Sequence, residues 1–346
     1  MPHNASRPQR YVNNIASIML GIVFSTCSIF SAFASMDKPD KTDFQRPAQV
    51  PTPSNNKLTP ERVALGKKLF FDPRLSGSNW ISCATCHNPG LAWSDGLPKA
   101  IGDGQKELKR ATPTILNAAY NHLQMWDGRF RSLEKQAMGP IGASGEMNQD
   151  PKELVKELSA VKGYVKLFNE AYPNEGITPD SIAKAIASFE RTVVTPDAPF
   201  DRWVKGDESA MSEDAKKGFE LFVGKARCSK CHNGYNFTDD GFHNIGLKNS
   251  TDEGRYALRK VKILHGAFKT PTLRNIEYTA PYMHNGEYQT LEAVVDHYER
   301  GGDVKTHLSP NLKPLDLSGR EKKQLVQFMK SLSSEALNVT VPRLPQ

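Results

Sequence analysis

The chain has 346 residues, 38% of them hydrophobic, and a formal net charge of +7. Residues 1–34 hold two arginines and no acids, so the charge without them is 7 − 2 = +5. No cluster of lysine and arginine with interleaved aromatic residues is present, so a nucleic-acid partner is not expected. A chain of this length is expected to form more than one domain.

The first 34 residues have the pattern of a secretory signal peptide. Arg7 and Arg10 form a basic start, residues 15–33 are mostly apolar, and residues 32–34 (Ala-Phe-Ala) form a small-x-small cleavage site. A retained membrane anchor is the competing interpretation, but serine and threonine residues dilute the apolar stretch. We therefore expect cleavage, a periplasmic location and no stable membrane insertion afterwards.

Helix signals recur along the remaining chain. Residues 35–57 are rich in proline and polar residues and are expected to form a flexible linker. Thr59 followed by Pro60 predicts a helix start, and Ser212 followed by two acids predicts another. Apolar spacings of three and four predict further helices over residues 151–170, 178–194, 288–300 and 318–333. No run shows the alternation of a strand.

Two copies of the attachment motif for c-type haem are the strongest chemical signal. Residues 83–87 (Cys-Ala-Thr-Cys-His) and 228–232 (Cys-Ser-Lys-Cys-His) use every cysteine outside the predicted signal peptide. The two cysteines form thioethers to the haem, and the histidine is the proximal iron ligand. A zinc site or a redox dithiol is the alternative for one motif alone. Zinc requires a compact cluster, however, and the two motifs are far apart in the sequence.

The motifs belong to an internal repeat. Each follows a Gly-x-x-Leu-Phe pattern, in residues 66–70 and 218–222. The repeat predicts a mainly α fold with two cytochrome c-like domains, each around one covalent haem c. The predicted bounds are 58–205 for the N-terminal haem domain and 206–335 for the C-terminal one, with a tail over 336–346.

Further motifs carry a resemblance to a known family. Residues 113–117 (PTILN), 126–129 (WDGR), 136–140 (QAMGP), 270–275 (TPTLRN) and 279–286 (TAPYMHNG) occur in the order and spacing of the bacterial di-haem cytochrome c peroxidases. That family includes the MauG-like enzymes, and the resemblance covers about residues 58–335. It implies that the N-terminal haem reacts with peroxide and that the C-terminal haem stores or relays electrons.

The resemblance also implies roles for individual residues. It places His87 and His232 as proximal ligands, Glu146 and Gln136 over the open face of the N-terminal haem, and Pro140 in the pocket wall. Splitting the peroxide bond needs a base that moves a proton from one oxygen to the other. Judged from the residues alone, Glu146 is a solvated loop acid.

Trp126 is implied as an electron relay between the haems. Judged from the residues alone, it is a core aromatic. Residues 127–129 are expected to form a turn with a structural ion pair.

Two departures from the family pattern refine the assignment. Many members have a histidine that blocks the peroxidatic iron, but Asp103 occupies that position, which predicts a haem that is open without reductive activation. His122 is an alternative blocker. The distal ligand of the C-terminal haem is usually methionine, but Tyr298 stands there, as in MauG-like enzymes, and a phenolate lowers the iron potential. His297 and Met283 are rival ligands.

Two more departures limit the prediction. The family's calcium site would use carbonyls of Thr279 and Pro281, but Ala111 replaces the asparagine ligand, so calcium is in doubt. MauG has a surface tryptophan where this chain has Ala226, which argues against maturation of a tryptophan cofactor on an amine dehydrogenase.

The sequence thus predicts a MauG-like di-haem peroxidase that reduces hydrogen peroxide and stores oxidising equivalents over two haems. A conventional cytochrome c peroxidase, supplied by a small c-type cytochrome or a cupredoxin, is one alternative. A non-enzymatic di-haem electron carrier is another. The partner is an electron-donor protein or an oxidisable protein substrate.

Overall fold

The computed structural model describes residues 39–346, in which ten α-helices form most of the regular structure. In chain order these are α1 (Pro60–Phe70), α2 (Cys83–Cys86), α3 (Leu133–Gly142), α4 (Pro151–Ala160), α5 (Lys162–Ala171), α6 (Pro179–Glu190), α7 (Pro199–Val204), α8 (Glu213–Val223), α9 (Leu291–Glu299) and α10 (Gly319–Ser331). Two short antiparallel strands, β1 (Phe242–His243) and β2 (Phe268–Lys269), pair with Phe242 opposite Lys269. The prediction of a mainly α fold is confirmed.

The predicted signal peptide lies outside the described residues. Among residues 39–346, no helix has the length and apolar character that a membrane crossing requires.

Capping chemistry sets both predicted helix starts. The Thr59 side chain accepts a hydrogen bond from the backbone N–H of Arg62 at 3.3 Å, and α1 begins at Pro60. The Ser212 hydroxyl accepts one from the N–H of Ala215 at 3.2 Å at the start of α8. These side chains satisfy backbone N–H groups that have no partner within the first turn of a helix.

Two hydrophobic clusters form the interior. The first is built from residues between Leu65 and Val193, and the second from Phe44 and residues between Phe200 and Leu332. The division lies close to the predicted boundary at residue 205. The described chain nevertheless forms one continuous unit.

Each cluster contains a pair of helices that cross at a glycine. A Cβ on Gly66 of α1 would lie 1.8 Å from the Ala185 carbonyl oxygen of α6. A Cβ on Gly218 of α8 would lie 2.0 Å from the Gln324 carbonyl oxygen of α10. Only glycine permits such an approach, so the glycines of the repeated Gly-x-x-Leu-Phe pattern are the contact points of two equivalent helix pairs.

The predicted flexible linker is packed against the rest of the chain where it is described. Phe44 is fully buried and stacks on Phe237 with ring centroids 4.9 Å apart. Asn56 is also fully buried and donates hydrogen bonds to Glu134 at 3.0 Å and to the Lys184 carbonyl at 2.9 Å. Residues 39–57 are therefore not a free tether, because a few side chains in this polar segment fill gaps in the two halves.

The predicted tail is also anchored. The Pro345 carbonyl accepts a hydrogen bond from Arg74 at 3.1 Å, and the Gln346 carbonyl accepts one from the N–H of Gly163 at 3.1 Å. The end of the chain therefore returns to the N-terminal half.

Candidate functional site

Both Cys-x-x-Cys-His motifs open into one internal cavity of about 1050 Å³. Its wall contains every residue that the sequence assigned to haem attachment, iron ligation, peroxide chemistry, electron relay or calcium. These are Cys83, Cys86, His87, Trp126, Gln136, Pro140, Glu146, Cys228, Cys231, His232, Thr279, Pro281 and Tyr298. The fold therefore brings the predicted site residues of both halves to a single space.

The first motif is one turn of helix, α2. The N–H of His87 donates to the Cys83 carbonyl at 2.8 Å, which places the ring beside the cavity. Nδ1 of His87 lies 3.3 Å from the carbonyl of the buried Trp93, and this contact leaves Nε2 as the nitrogen free for a ligand. Burial lowers the pKa of His87, so the ring is neutral and offers a lone pair.

The second motif repeats this arrangement. The N–H of His232 donates to the Cys228 carbonyl at 2.9 Å, and Nδ1 lies 2.9 Å from the Phe237 carbonyl. Burial lowers the pKa of His232 to about 4. Each half therefore presents two thiols and one neutral, oriented imidazole to the cavity, which is the donor set that a covalent haem c requires.

The four thiols of the described chain form no disulfide bond, and three of them lack the lowered pKa of a reactive cysteine. All four cysteines of the described chain are free. Burial raises the pKa of Cys83, and it raises that of Cys86 to about 11 and that of Cys228 to about 12. A catalytic or redox-active thiol needs the opposite shift, so the dithiol alternative is disfavoured.

One further group near the second motif has the spacing of metal ligands. Donor atoms of Cys231, Asp239 and His243 lie within 4.8 Å of one another. Both nitrogens of His243 are already engaged, Nε2 with Asp239 at 3.0 Å and Nδ1 with the Ser309 hydroxyl at 2.9 Å. Hydrogen bonds to Asp239 and Cys231 raise the pKa of His243 to about 10, so the ring is a cation and a poor metal ligand.

Glu146 lies in the turn after α3 and is fixed by its backbone. Its carbonyl accepts a hydrogen bond from the N–H of Asp103 at 2.8 Å. A Cβ on Gly102 would lie 1.9 Å from the Gly145 carbonyl oxygen, so glycine is needed where these two segments touch. Burial raises the pKa of the Glu146 carboxyl, and the charge of Arg129 offsets part of the effect. A carboxyl with a raised pKa is suited to exchanging protons near neutral pH.

Gln136 and Pro140 lie one turn apart on α3. The helix begins at Leu133, after Ser132, whose hydroxyl accepts the N–H of Lys135 at 3.2 Å. Side chains four residues apart share one face of a helix, so both line the cavity. The N–H of Met147 donates to the Pro140 carbonyl at 3.1 Å, which folds the segment carrying Glu146 back towards α3.

Glu146 and Tyr298 stand near different motifs. The charge of Glu146 contributes to the raised pKa of Cys86, in the first motif. Burial raises the pKa of Tyr298, and Cys231 and Cys228 of the second motif add to the effect. A carboxyl group therefore lies near the first motif, and a phenol lies near the second.

The side chain of His297, one of the two rival ligands, contacts other groups of the protein. Its Nδ1 lies 3.0 Å from the Tyr288 hydroxyl, and its Nε2 lies 2.9 Å from the Ile245 carbonyl. Both nitrogens are thus occupied, and the ring is fully buried. Met283 does line the cavity, as Tyr298 does.

Neither Asp103, at the position of the blocking histidine, nor His122, the alternative blocker, is in the cavity wall. Asp103 accepts a hydrogen bond from the Asn148 amide at 3.0 Å, outside the lining residues. His122 is exposed, and its backbone N–H donates to Asp240 at 2.8 Å. Neither side chain therefore enters the cavity that Glu146 lines.

Trp126 connects segments from both halves. Its indole N–H donates to the Ala111 carbonyl at 2.9 Å, and its own carbonyl accepts the N–H of Lys269 at 2.7 Å. The following turn is held by Asp127, which is buried and accepts hydrogen bonds from Arg129. The predicted structural ion pair in this turn is confirmed.

The calcium site that the resemblance implies lacks one of its protein ligands in this chain. Calcium prefers six to eight oxygen ligands. Ala111 has no side-chain oxygen, and its carbonyl already accepts the indole N–H of Trp126. Of the ligands that the resemblance implies, the carbonyls of Thr279 and Pro281 remain, and calcium binding stays a prediction.

Glu190 is a cavity residue that the sequence analysis did not single out. Glu190, the last residue of α6, is 4% exposed and lines the cavity. A comparison of the two halves that included the helices packed against the repeated glycines would have indicated it. The α1–α6 contact places Glu190 where the α8–α10 contact places Met329.

Comparison with known proteins agrees with this geometry. The model of the family described as di-haem cytochrome c peroxidase matches residues 60–209. The methylamine utilization protein MauG of Methylorubrum extorquens is 50% identical over 329 residues, covering 93% of this chain and 93% of that protein. MauG of Methylophilus methylotrophus is 43% identical, covering 94% of this chain and 98% of that protein.

A solved structure also matches. A crystal structure of a MauG-like protein associated with microbial copper homeostasis superposes with a TM-score of 0.79 at 30% identity. The match covers 84% of this chain and 95% of that chain.

Proposed function

The chain belongs to the di-haem cytochrome c peroxidase family, and we propose that it is a MauG-like peroxidase that reduces hydrogen peroxide and stores the oxidising equivalents over two haems. The observation that supports this proposal is that different side chains line the cavity near each of the two motifs. Glu146 and Gln136 come from the half that holds the first motif, whereas Tyr298 lies near the cysteines of the second.

The two haems would be held by equivalent residues of the two halves. The cysteine pair of each motif would form thioethers to one haem, and His87 and His232 would bind the two irons. Tyr298 would be a further ligand of the iron held by His232. When bound, the haem irons supply the one-electron chemistry that peroxide reduction needs.

The chain's own contribution is to move protons and exclude water. The Glu146 carboxylate takes a proton from one peroxide oxygen and returns it to the other, which becomes the leaving water. The raised pKa of Glu146 supports this role, because it eases both transfers near neutral pH. The Gln136 amide donates a hydrogen bond that orients the peroxide, and Pro140 narrows the pocket beside it.

Trp126 couples the two halves. Its backbone joins β2 through Lys269 and its indole is fixed to Ala111, so the ring has one orientation in the cavity wall. A rigid aromatic ring between two redox centres is suited to relaying electrons.

The protein would act in the periplasm on electrons from a partner protein. A small c-type cytochrome, a cupredoxin or an oxidisable protein is the donor class. Ala226 is 5% exposed and has no redox-active side chain, in contrast to a surface tryptophan.

The experiment that tests the proposal compares two tyrosines of the C-terminal half. Tyr298→Phe removes the proposed ligand and should change the optical and EPR spectra of the His232 haem and shorten the lifetime of the peroxide-oxidised protein. Tyr288→Phe removes only hydrogen bonds to His297 and Asp303 and should leave both properties as in the wild type. Unaltered spectra and lifetime in Tyr298→Phe would contradict the assignment.

A further inference from the structure

Glu190 is a buried carboxyl that the peroxide reaction described above does not use. It ends α6, is 4% exposed and lines the cavity. Its Oε2 atom is buried and has no hydrogen-bond partner among the described residues. Its charge acts on Cys83, which places it beside the first haem-attachment motif. A buried polar group without a partner is costly, so such a group calls for an explanation.

The internal repeat provides a direct comparison for this position. Gly66 packs on Ala185 and Phe189, and Gly218 packs on Gln324 and Phe328. The residue after each phenylalanine lines the cavity, and it is Glu190 in the first half and Met329 in the second. The fold therefore accepts an apolar side chain here, and the carboxyl is particular to the His87 half.

The charges around Glu190 leave it without a counter-ion. Arg191 follows it in the chain, but its guanidinium pairs with Glu134 of α3 at 2.7 Å. Glu134 also accepts a hydrogen bond from the Asn56 amide at 3.0 Å. Glu134 therefore takes up the cation and adds a repelling negative charge.

These surroundings decide the protonation state. Burial, reinforced by Glu134 and opposed by Arg191, raises the pKa of Glu190 to about 8. The carboxyl is then a neutral acid at neutral pH. A neutral acid can be left unpaired in an apolar wall, whereas a carboxylate in the same place would be strongly destabilised.

We propose that Glu190 is the proton partner of the His87 haem, holding a proton while that haem is reduced and releasing it when the haem loses an electron. The electron goes to a one-electron acceptor, a redox-partner protein of the c-type cytochrome or cupredoxin class. The carboxyl O–H bond breaks, and the proton passes through the cavity to solvent. The carboxylate that remains compensates the positive charge left on the haem. This inference rests on the proposed haem at His87.

The physical reason is the low dielectric of the site. Removing an electron from a buried haem adds one positive charge that water screens poorly, and a carboxylate in the same wall is stabilised by it. The coupling is reciprocal, so the ionised carboxyl also makes the haem easier to oxidise. The carboxyl is a positioning group for charge and need not touch peroxide.

The test is the pH dependence of the midpoint potential of the His87 haem in the intact holoprotein. The potential is followed by spectroelectrochemistry, with each haem identified by its EPR signal. The wild-type potential should fall by about 59 mV per pH unit, the one-electron equivalent of a tenfold change in proton concentration, between the Glu190 pKa values of the oxidised and reduced protein. Glu190→Gln should abolish this slope. Met329→Gln, the matched change in the second half, should retain it.

A slope that survives in Glu190→Gln would overturn the proposal. Redox-difference infrared spectroscopy of the wild type gives an answer that does not depend on the folding of a variant. Oxidation of the His87 haem should remove the C=O band of one protonated carboxyl, and an unchanged carboxyl region would contradict the proposal. Counting covalent haems by mass spectrometry keeps the two claims apart, since loss of the His87 haem in the wild type would refute the proposed function itself.

Discussion

The backbone N–H of Asp103 donates a hydrogen bond to the carbonyl of Glu146 at 2.8 Å. The residue at the position of the family's blocking histidine thus supports the proposed catalytic acid, while its own side chain binds Asn148 outside the cavity wall. This contact joins the two features on which the proposed peroxide reaction at the first site depends, an unblocked face and a fixed acid.

Glu146→Gln should slow the reaction with peroxide by about 10²- to 10⁴-fold, the usual contribution of a general acid–base group. Because the pKa of Glu146 is raised, the wild-type rate should increase with pH as the carboxylate forms, and the variant should lose this dependence. Stopped-flow absorbance measures both. Glu153→Gln, an exposed acid on α4, is the control. A variant as fast as the wild type would exclude Glu146 as the base.

Trp126→Phe should slow the spectral change at the His232 haem after peroxide reacts at the other site. The substitution removes the indole and its hydrogen bond to Ala111 but leaves an aromatic ring. Rapid-scan absorbance can follow the two haems separately. Trp203→Phe is the matched control, because Trp203 is buried in the second hydrophobic cluster and does not line the cavity. Equal rates in both variants would argue against a relay at Trp126.

Gly66→Ala and Gly218→Ala should each destabilise the protein by about 1–3 kcal/mol or more, because the added Cβ would collide with a backbone carbonyl of the partner helix. A backbone atom cannot move aside as a flexible side chain can. Thermal unfolding monitored by circular dichroism measures the loss. Gly142→Ala, at the end of α3, meets nothing within 4 Å and should be near neutral. Equal melting temperatures in all three variants would contradict the proposed helix contacts.

Glu190→Gln should stabilise the reduced holoprotein more at pH 8 than at pH 5. The unfolded carboxyl titrates near 4.5 and the folded one near 8, so the folded state keeps a proton that the unfolded state loses as pH rises between these values. Wild-type stability therefore falls over this interval, and the neutral amide avoids the loss. The difference should be on the order of 3–4 kcal/mol, because nearly all of the shift lies between pH 5 and pH 8 and each pKa unit is worth about 1.4 kcal/mol. Anaerobic denaturant titrations at the two pH values would measure it, and a pH-independent difference would contradict the assigned pKa.

The sequence predicted features whose causes are local. The helix starts at Thr59 and Ser212 were found because a cap depends on only a few neighbouring residues. The haem motifs were found because their chemistry fixes their spacing. The predicted helix over residues 151–170 is instead two helices, because Val161 is extended (φ −92°, ψ 103°) between α4 and α5. Apolar spacing continues through that break and conceals it.

Features that depend on distant partners were missed. The composition of residues 35–57 indicated disorder, since it could not show that Phe44 packs between Phe200, Phe219 and Phe237. Helix α3 was overlooked because it contains Gly139, Pro140 and Gly142, which disfavour a helix.

The predicted ligand Tyr298 and its rival His297 show the same limit of local information. His297 and Tyr298 are adjacent in the sequence. Only the fold shows that the two ring nitrogens of His297 contact the Ile245 carbonyl and the Tyr288 hydroxyl. Tyr298, in contrast, lines the cavity.

The most direct test of the central claim, that the two haems are unequal, is peroxide titration of the resting ferric protein followed by optical and Mössbauer spectroscopy. We expect one five-coordinate high-spin iron and one six-coordinate iron at rest, and we expect the protein to react with peroxide without being reduced first. We also expect that one equivalent of peroxide changes the spectra of both haems. Two six-coordinate irons that do not respond to peroxide would contradict this claim and would identify the protein as an electron carrier.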